Sequence, residues 1–107
     1  MNKYKKLAQD LTQARVLGAE AGKGDDGGSA NQDAAFLKLP RWNESMVLNA
    51  IAEAGLYCTH KTKWIGYGYL INPVGCGQGN SNARGMEAIK KHLKECGYDV
   101  LGFYKMD

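Results

Sequence analysis

The chain has 107 residues, a length at which a single domain can bury a modest core without disulfides or metals. Its net charge of +3 is mild, whereas a dedicated sliding DNA-binding protein is usually more basic. No apolar run is long enough to cross a bilayer, and the N-terminus lacks a signal-peptide core. We therefore expect one cytoplasmic domain over residues 1–107 that makes no contact with a membrane.

The first element is a predicted amphipathic helix within residues 1–21. Its apolar residues recur at intervals of three and four and form one stripe: Tyr4, Leu7, Leu11, Ala14 and Leu17. Gly18 and Gly22 are the expected helix stops. Residues 22–33 then form a polar loop rich in glycine and aspartate, a composition that is typical of a disordered linker.

The remaining residues, 34–107, predict the α+β core. Its expected elements are a strand at 35–39, a helix capped by Asn43, strands at 56–62 and 65–72, a helix at 82–96 and a strand at 100–103. This β-α-β-β-α-β order is that of the ferredoxin-like split βαβ fold, an antiparallel sheet with two helices on one face. The N-terminal helix precedes this core.

The glycine-dense stretch at residues 75–85 leads directly into the last predicted helix. Gly77, Gln78 and Gly79 lie in the loop, and Asn80, Asn82 and Arg84 mark the start of the helix. Glycine lets a ligand approach the backbone, and a helix N-terminus favours an anion. An arginine in the first turn suits bidentate contact with a phosphate or carboxylate. A flexible loop before an ordinary capped helix is the alternative interpretation.

Tyr67 and Tyr69 alternate with glycines in the predicted strand at 65–72, so their rings are expected on one face of the sheet. Two neighbouring rings form a stacking platform for bases. The segment Gly66-Tyr67-Gly68-Tyr69-Leu70 resembles the third-strand motif of RNA recognition motif domains, and residues 35–40 resemble the first-strand motif of that family. Ile65 stands where that motif has a basic residue. The resemblance implies binding of single-stranded RNA.

The sequence patterns that suggest catalysis are weaker than those that suggest binding, and we assign no catalytic residue, metal or cofactor. Gly77-Gln78-Gly79 is similar to the pyrophosphate loop of acetyltransferases, although Val74 replaces the Gln or Arg usual there. Cys58-x-His60 and His92-x-x-x-Cys96 have spacings compatible with zinc, although Cys96 also continues an apolar helix stripe.

Several loops together resemble small phage and prophage accessory proteins. The segments that carry this resemblance are Gly-Gly-Ser-Ala-Asn-Gln-Asp at 27–33, Leu-Lys-Leu-Pro-Arg at 37–41, Gly-Gln-Gly-Asn at 77–80, Gly-Tyr-Asp at 97–99 and Tyr-Lys-Met-Asp at 104–107. That pattern has a hydroxyl residue after the arginine, where this chain has Gly85. The resemblance implies a protein that counters host defence in the host cytoplasm, by sequestering a nucleotide signal or by blocking an effector that handles nucleic acid.

The leading interpretation is therefore a non-enzymatic protein that binds a nucleotide-like anionic ligand or a host defence protein. The candidate ligand-binding residues are Gly77, Gln78, Gly79, Asn80, Asn82, Arg84, Asn31, Asp33, Tyr67 and Tyr69. Asn31 and Asp33 are expected to close over the ligand from the first loop, and a site shared between subunits of a homo-oligomer is compatible with this arrangement. An RNA-binding module is the alternative, and an acetyltransferase-like enzyme is third.

Overall fold

The computed structural model describes residues 2–24, 33–76 and 79–104. Its elements in chain order are α1 (Lys3–Ala21), β1 (Ala34–Lys38), α2 (Glu44–Glu53), β2 (Thr62–Trp64), β3 (Gly66–Ile71), α3 (Asn80–Glu95) and β4 (Asp99–Phe103). The expectation of an α+β chain that opens with a helix is confirmed. No helix in the described ranges is both long and apolar enough to span a membrane.

The four strands form one sheet in the order β2-β3-β1-β4. Every neighbouring pair is antiparallel, and β1 lies between β3 and β4. Leu37 pairs with Tyr69 of β3 on one side and with Val100 of β4 on the other. This arrangement is compatible with a ferredoxin-like fold.

Asparagine side chains begin two of the helices. The side chain of Asn2 accepts a hydrogen bond from the Lys5 backbone N–H at 2.9 Å, and that of Asn43 accepts one from Met46 at 3.0 Å. Each bond satisfies an N–H group that has no partner inside its helix. The cap predicted at Asn43 is thus confirmed.

Two expected element boundaries are wrong. Gly18 does not stop α1, which continues to Ala21 and is capped by Gly22. The strand expected at 56–62 begins only at Thr62. The backbone before it is held differently, because the Lys61 N–H donates to the Glu44 carboxylate at 2.9 Å instead of to a neighbouring strand.

One side of the sheet and all three helices share a single apolar cluster. Ala35 and Leu37 of β1 contribute to it, and so do Tyr69 and Ile71 of β3. The helices contribute mainly Leu7, Leu11, Val47, Ile51, Met86, Ile89 and Leu93. Residues that alternate with these along the strands project to the opposite side of the sheet.

The helices α1 and α3 approach closely where each carries a glycine. A Cβ on Gly18 would lie 2.9 Å from Ile89 Cγ1, and a Cβ on Gly85 would lie 3.2 Å from the Gly18 carbonyl oxygen and 2.5 Å from Cys76 Sγ. The Cys76 thiol lies in this junction and donates to the Gly18 carbonyl at 3.4 Å. Its burial there raises the pKa of the thiol.

Gly85→Ala is expected to lower the free energy of unfolding by about 1–3 kcal/mol, because the added methyl group overpacks this junction. The loss should appear in urea unfolding even though alanine favours a helix over glycine by about 1 kcal/mol.

The control is to make Gly85→Ala in a Cys76→Ala variant, which lacks the sulfur atom nearest to the added methyl group. Gly85→Ala should cost less in that background than in the native chain. An increase in stability in both backgrounds would contradict the close packing of α1 and α3.

Candidate functional site

The start of α3 follows the glycine-dense loop as expected. Gly79 is the N-cap residue with φ of 60°, a left-handed conformation that glycine adopts without strain. The Ala83 N–H donates to the Gly79 carbonyl at 3.1 Å and closes the first turn. Asn80 is exposed beside it. Gly77 and Gln78 lie outside the described residues.

Arg84 points to the end of α1. Its Nε donates to the Ala21 carbonyl at 2.9 Å, and its Nη2 donates to the Gly22 and Lys23 carbonyls at 3.3 Å and 3.2 Å. The carbonyls at a helix C-terminus lack partners within the helix and carry a partial negative charge. The guanidinium group of Arg84 therefore caps α1, a role that the sequence analysis did not foresee.

Asn82 and Asp33 come together, although 49 positions separate them in the chain. The Asn82 side-chain amide donates to the Asp33 carbonyl oxygen at 3.2 Å, and Asp33 is only 5% exposed. This contact holds the residue before β1 against the start of α3. Asn31, the other residue expected to close over a ligand, lies outside the described residues.

Tyr67 and Tyr69 differ sharply in exposure, so they do not form the expected pair of accessible rings. Tyr69 is 1% exposed within the shared apolar cluster, whereas Tyr67 is 60% exposed. Among the described residues no partner lies within hydrogen-bond distance of the Tyr69 hydroxyl, and burial raises the pKa of that group. Of these two tyrosines, only Tyr67 offers its ring to a ligand.

Tyr67 lies in a cleft at one end of the sheet, which we call the cationic cleft. This cleft has a volume of about 460 Å³. It is lined by Lys38, Leu39, Pro40, Arg41, Lys61, Gly66, Tyr67 and Asp99. It lies where the end of β1 meets the start of β3 and the segment before β2.

A tight turn after β1 places Arg41 in the cationic cleft. The Trp42 N–H donates to the Leu39 carbonyl at 3.2 Å, and Pro40 and Arg41 are the two central residues of the turn. Arg41 has φ of 69°, and among the described residues it is the only one other than glycine with a positive φ. That conformation normally favours glycine or asparagine. Backbone strain of this kind is common at binding sites, which makes Arg41 a candidate binding residue.

Lysines surround the exposed ring of Tyr67. The Nζ atoms of Lys61 and Lys63 lie 5.7 Å and 5.9 Å from its centroid, within the range of a cation–π interaction. Lys38 reaches the same area, because its Nζ lies 3.5 Å from the point where a Cβ on Gly66 would be. Gly66 thus leaves room for the Lys38 side chain in the cationic cleft.

The cationic cleft has a positive charge excess. Lys38, Arg41 and Lys61 line it, Lys63 adjoins it, and Asp99 is the acidic residue among its lining. Across residues 2–24, 33–76 and 79–104, the ion pairs involve Lys6, Lys23 and Lys90 and none of these four cations. Four positive groups in and beside a cleft that contains an exposed aromatic ring form a suitable environment for an anion with a planar group.

Comparisons with known proteins add no assignment: the chain matches no protein-family model, no curated protein and no solved structure. Each histidine–cysteine pair considered for zinc makes a contact within the pair. The Cys58 thiol donates to the His60 carbonyl at 3.5 Å, and Cys96 Sγ lies 3.5 Å from His92 Nε2. In the described part of the chain no group of three or more His, Cys, Asp or Glu side chains is placed to hold a metal.

The cationic cleft was not predicted from the sequence because its residues come from four separate segments, 38–41, 61, 66–67 and 99. The available signal was the basic residues that flank predicted strands: Lys38 and Arg41 around the first, and Lys61 and Lys63 before the tyrosine pair. Strand pairing brings these segments to one end of the sheet.

Arg84→Ala is expected to lower the free energy of unfolding by about 1–2 kcal/mol, because the carbonyls at the end of α1 lose their charged donor. Arg84→Lys should recover only part of this, since an ammonium group lacks the planar fork of a guanidinium. Urea unfolding measures both.

Lys91→Ala, an exposed change on the same helix, is the control and should change stability by less than about 0.5 kcal/mol. If Arg84→Ala were as stable as this control, the capping role would be wrong.

Tyr69→Phe should leave the free energy of unfolding unchanged or raise it by about 1 kcal/mol, because it removes a buried hydroxyl that lacks a partner. Tyr67→Phe is the matched control at an exposed position and should be neutral. Thermal and urea unfolding compare the two. A clear loss of stability in Tyr69→Phe alone would indicate that its hydroxyl is hydrogen-bonded.

Proposed function

We propose that this protein is a non-enzymatic binding protein for a nucleotide-like anionic ligand, and that the cationic cleft is its binding site. The observation that carries this proposal is the ring of Tyr67 at 60% exposure with two lysine ammonium groups within 6 Å of its centroid. An exposed aromatic ring beside clustered cations suits a nucleotide, because the ring stacks on the base and the cations attract the phosphates.

Different groups of the cationic cleft suit the phosphates and the base of such a ligand. Arg41 offers a planar fork of donors for two phosphate oxygens, and Lys38 and Lys61 add point charges. The Tyr67 ring offers a surface for the base. The volume of about 460 Å³ lies within the range of about 300–1,000 Å³ that is usual for small-ligand sites.

The loop at the start of α3 is a less suitable place for the phosphate. The guanidinium group of Arg84 already donates to three carbonyl oxygens of residues 21–23. A ligand that recruited this arginine would have to replace those bonds, which cap α1. The proposal therefore assigns Arg84, Asn82 and Asp33 to holding the ends of α1, α3 and β1 together.

The biological setting of the proposal rests on the resemblance to phage and prophage accessory proteins. In that setting the protein acts in the host cytoplasm against a defence system. It withholds a nucleotide-like signal, or it occupies the surface through which an effector handles nucleic acid. We include in this proposal a ferredoxin-like fold, which the strand order β2-β3-β1-β4 supports.

The test begins with mass spectrometry of small molecules that co-purify with the protein, followed by equilibrium dialysis against the four ribonucleoside triphosphates. Lys61→Glu should weaken nucleotide binding about tenfold or more, because it reverses a charge beside the ligand. Lys91→Glu makes the same change of net charge on the exposed side of α3 and should weaken binding less than about twofold.

Thermal unfolding of both variants verifies that the fold is retained. An equal loss of binding in the two variants would mean that only net charge matters and would contradict a specific site. Absence of both a co-purifying nucleotide and dialysis binding would overturn the proposal.

A further inference from the structure

Three aromatic rings meet on the side of the sheet opposite the helices, and we call them the aromatic face: Phe36, Trp64 and Phe103. Phe36 alternates with Ala35 and Leu37, which belong to the cluster shared with the helices, so Phe36 projects the other way. The Trp64 ring contacts Phe36 edge to face with centroids 5.2 Å apart, and Phe103 at 4.9 Å. In this way Trp64 covers Phe36, which is 0% exposed.

Gly68 makes this arrangement possible. A Cβ on Gly68 would lie 2.6 Å from Phe36 Cζ, so a larger residue there would displace the Phe36 ring. With glycine present, Phe36 lies against β3 and supports Trp64 from beneath. Trp64 is itself 41% exposed. A large ring is thus fixed on one side by two aromatic contacts and still accessible to solvent.

The aromatic face and the cationic cleft adjoin each other. Lys63 and Trp64 are consecutive residues of the edge strand β2, so their side chains project to opposite sides of the sheet: Lys63 lies beside Tyr67, with which it pairs, and Trp64 lies against Phe36. Lys38 follows Phe36 by two positions on β1, so both project to the same side of the sheet, and Lys38 also lines the cleft. Because β2 is at the edge of the sheet, a ligand that contacts both Tyr67 and Trp64 has to pass round this strand.

We infer that the ligand of this surface is a single strand of nucleic acid, with one base on Tyr67 in the cationic cleft and another on Trp64 of the aromatic face. The inference rests on the proposed function, since it names the ligand class of the same site. Lys38, Lys61 and Lys63 neutralise successive phosphates. Stacking on two separate rings needs at least two linked bases, which a mononucleotide does not supply.

Charge complementarity favours this occupant over an apolar protein segment. The accessible apolar side chains here are Trp64, Ile65 and Tyr67. Lys38, Lys61 and Lys63 lie near them, whereas the centre of a protein interface usually has few lysines. A duplex is also disfavoured, because its bases are stacked on one another and do not offer their faces to Trp64 and Tyr67.

The test is fluorescence anisotropy with labelled random-sequence octanucleotides, one of RNA and one of DNA, with an RNA duplex of the same length and unlabelled ribonucleoside triphosphates as competitors. Binding of a single strand should be at least about tenfold tighter than that of a triphosphate. With three or four phosphates neutralised, the slope of log K against log salt should be about −2 to −3. The affinities for the RNA and the DNA octanucleotide show which of the two nucleic acids the protein prefers.

Trp64→Ala should weaken octanucleotide binding about tenfold to a hundredfold and leave triphosphate binding unchanged. Trp64→Phe keeps a ring over Phe36 and should recover part of the affinity. Tyr104→Ala, which removes an exposed ring hydrogen-bonded to α3, is the control and should bind as the native chain does. The octanucleotide should also quench the tryptophan emission of the native chain more than that of Trp64→Phe, a readout that needs no destabilised variant.

The outcomes separate this inference from the proposed function. Triphosphate binding as tight as octanucleotide binding, with no effect of Trp64→Ala and no difference in quenching, would overturn the inference and leave the cationic cleft as a mononucleotide site. Equal affinity for the duplex would also overturn it. Absence of binding to every probe would overturn both.

Discussion

The close contact between α1 and α3 is the constraint on which the rest of the fold depends. Gly18 and Gly85 allow the two backbones to meet, and Arg84, next to Gly85, donates to the carbonyls at the end of α1. Steric fit and helix capping therefore act at one point of contact. Because α1 also packs on α2, this contact keeps all three helices together on one side of the sheet. The other side is left to the aromatic face.

Local patterns in the sequence were sufficient for most of the fold. The apolar stripe of α1 and the cap at Asn43 depend on residues three or four positions apart. The structure confirms the cap and the burial of Leu7, Leu11 and Ala14, whereas Leu17 at the end of the predicted stripe is exposed. The strand expected at 56–62 failed because Glu44, 17 positions before Lys61, accepts the backbone bond that a strand would have given to its neighbour. Gly18 failed as a stop because its lack of a side chain serves the packing with α3. Both errors arise from tertiary contacts that periodicity does not reveal.

The same limit applies to the candidate site. An arginine in the first turn of a helix after a glycine loop is compatible with anion binding, and nothing nearby in the sequence shows that the carbonyls of residues 21–23 will reach it. Conversely, the sequence did not show that the cleft cations Lys38, Arg41 and Lys61 lie close together. Their segments meet only through the pairing of β3 with its two neighbours. Alternation did predict that Tyr67 and Tyr69 share one face. It could not show that the helices cover Tyr69 and leave Tyr67 exposed.

What distinguishes the cationic cleft and the aromatic face from the rest of the molecule is that stability does not account for them. Arg41 holds a left-handed conformation that costs about 1 kcal/mol or more, and within the described residues its charge forms no ion pair that would offset this. Trp64 leaves much of a large apolar ring in water, although a leucine or valine would cover part of Phe36 with less exposed surface. Four cations also converge on one end of the sheet at a cost in mutual repulsion. These three costs fall on residues near one end of the sheet, and the proposed anionic, aromatic ligand would offset all of them together.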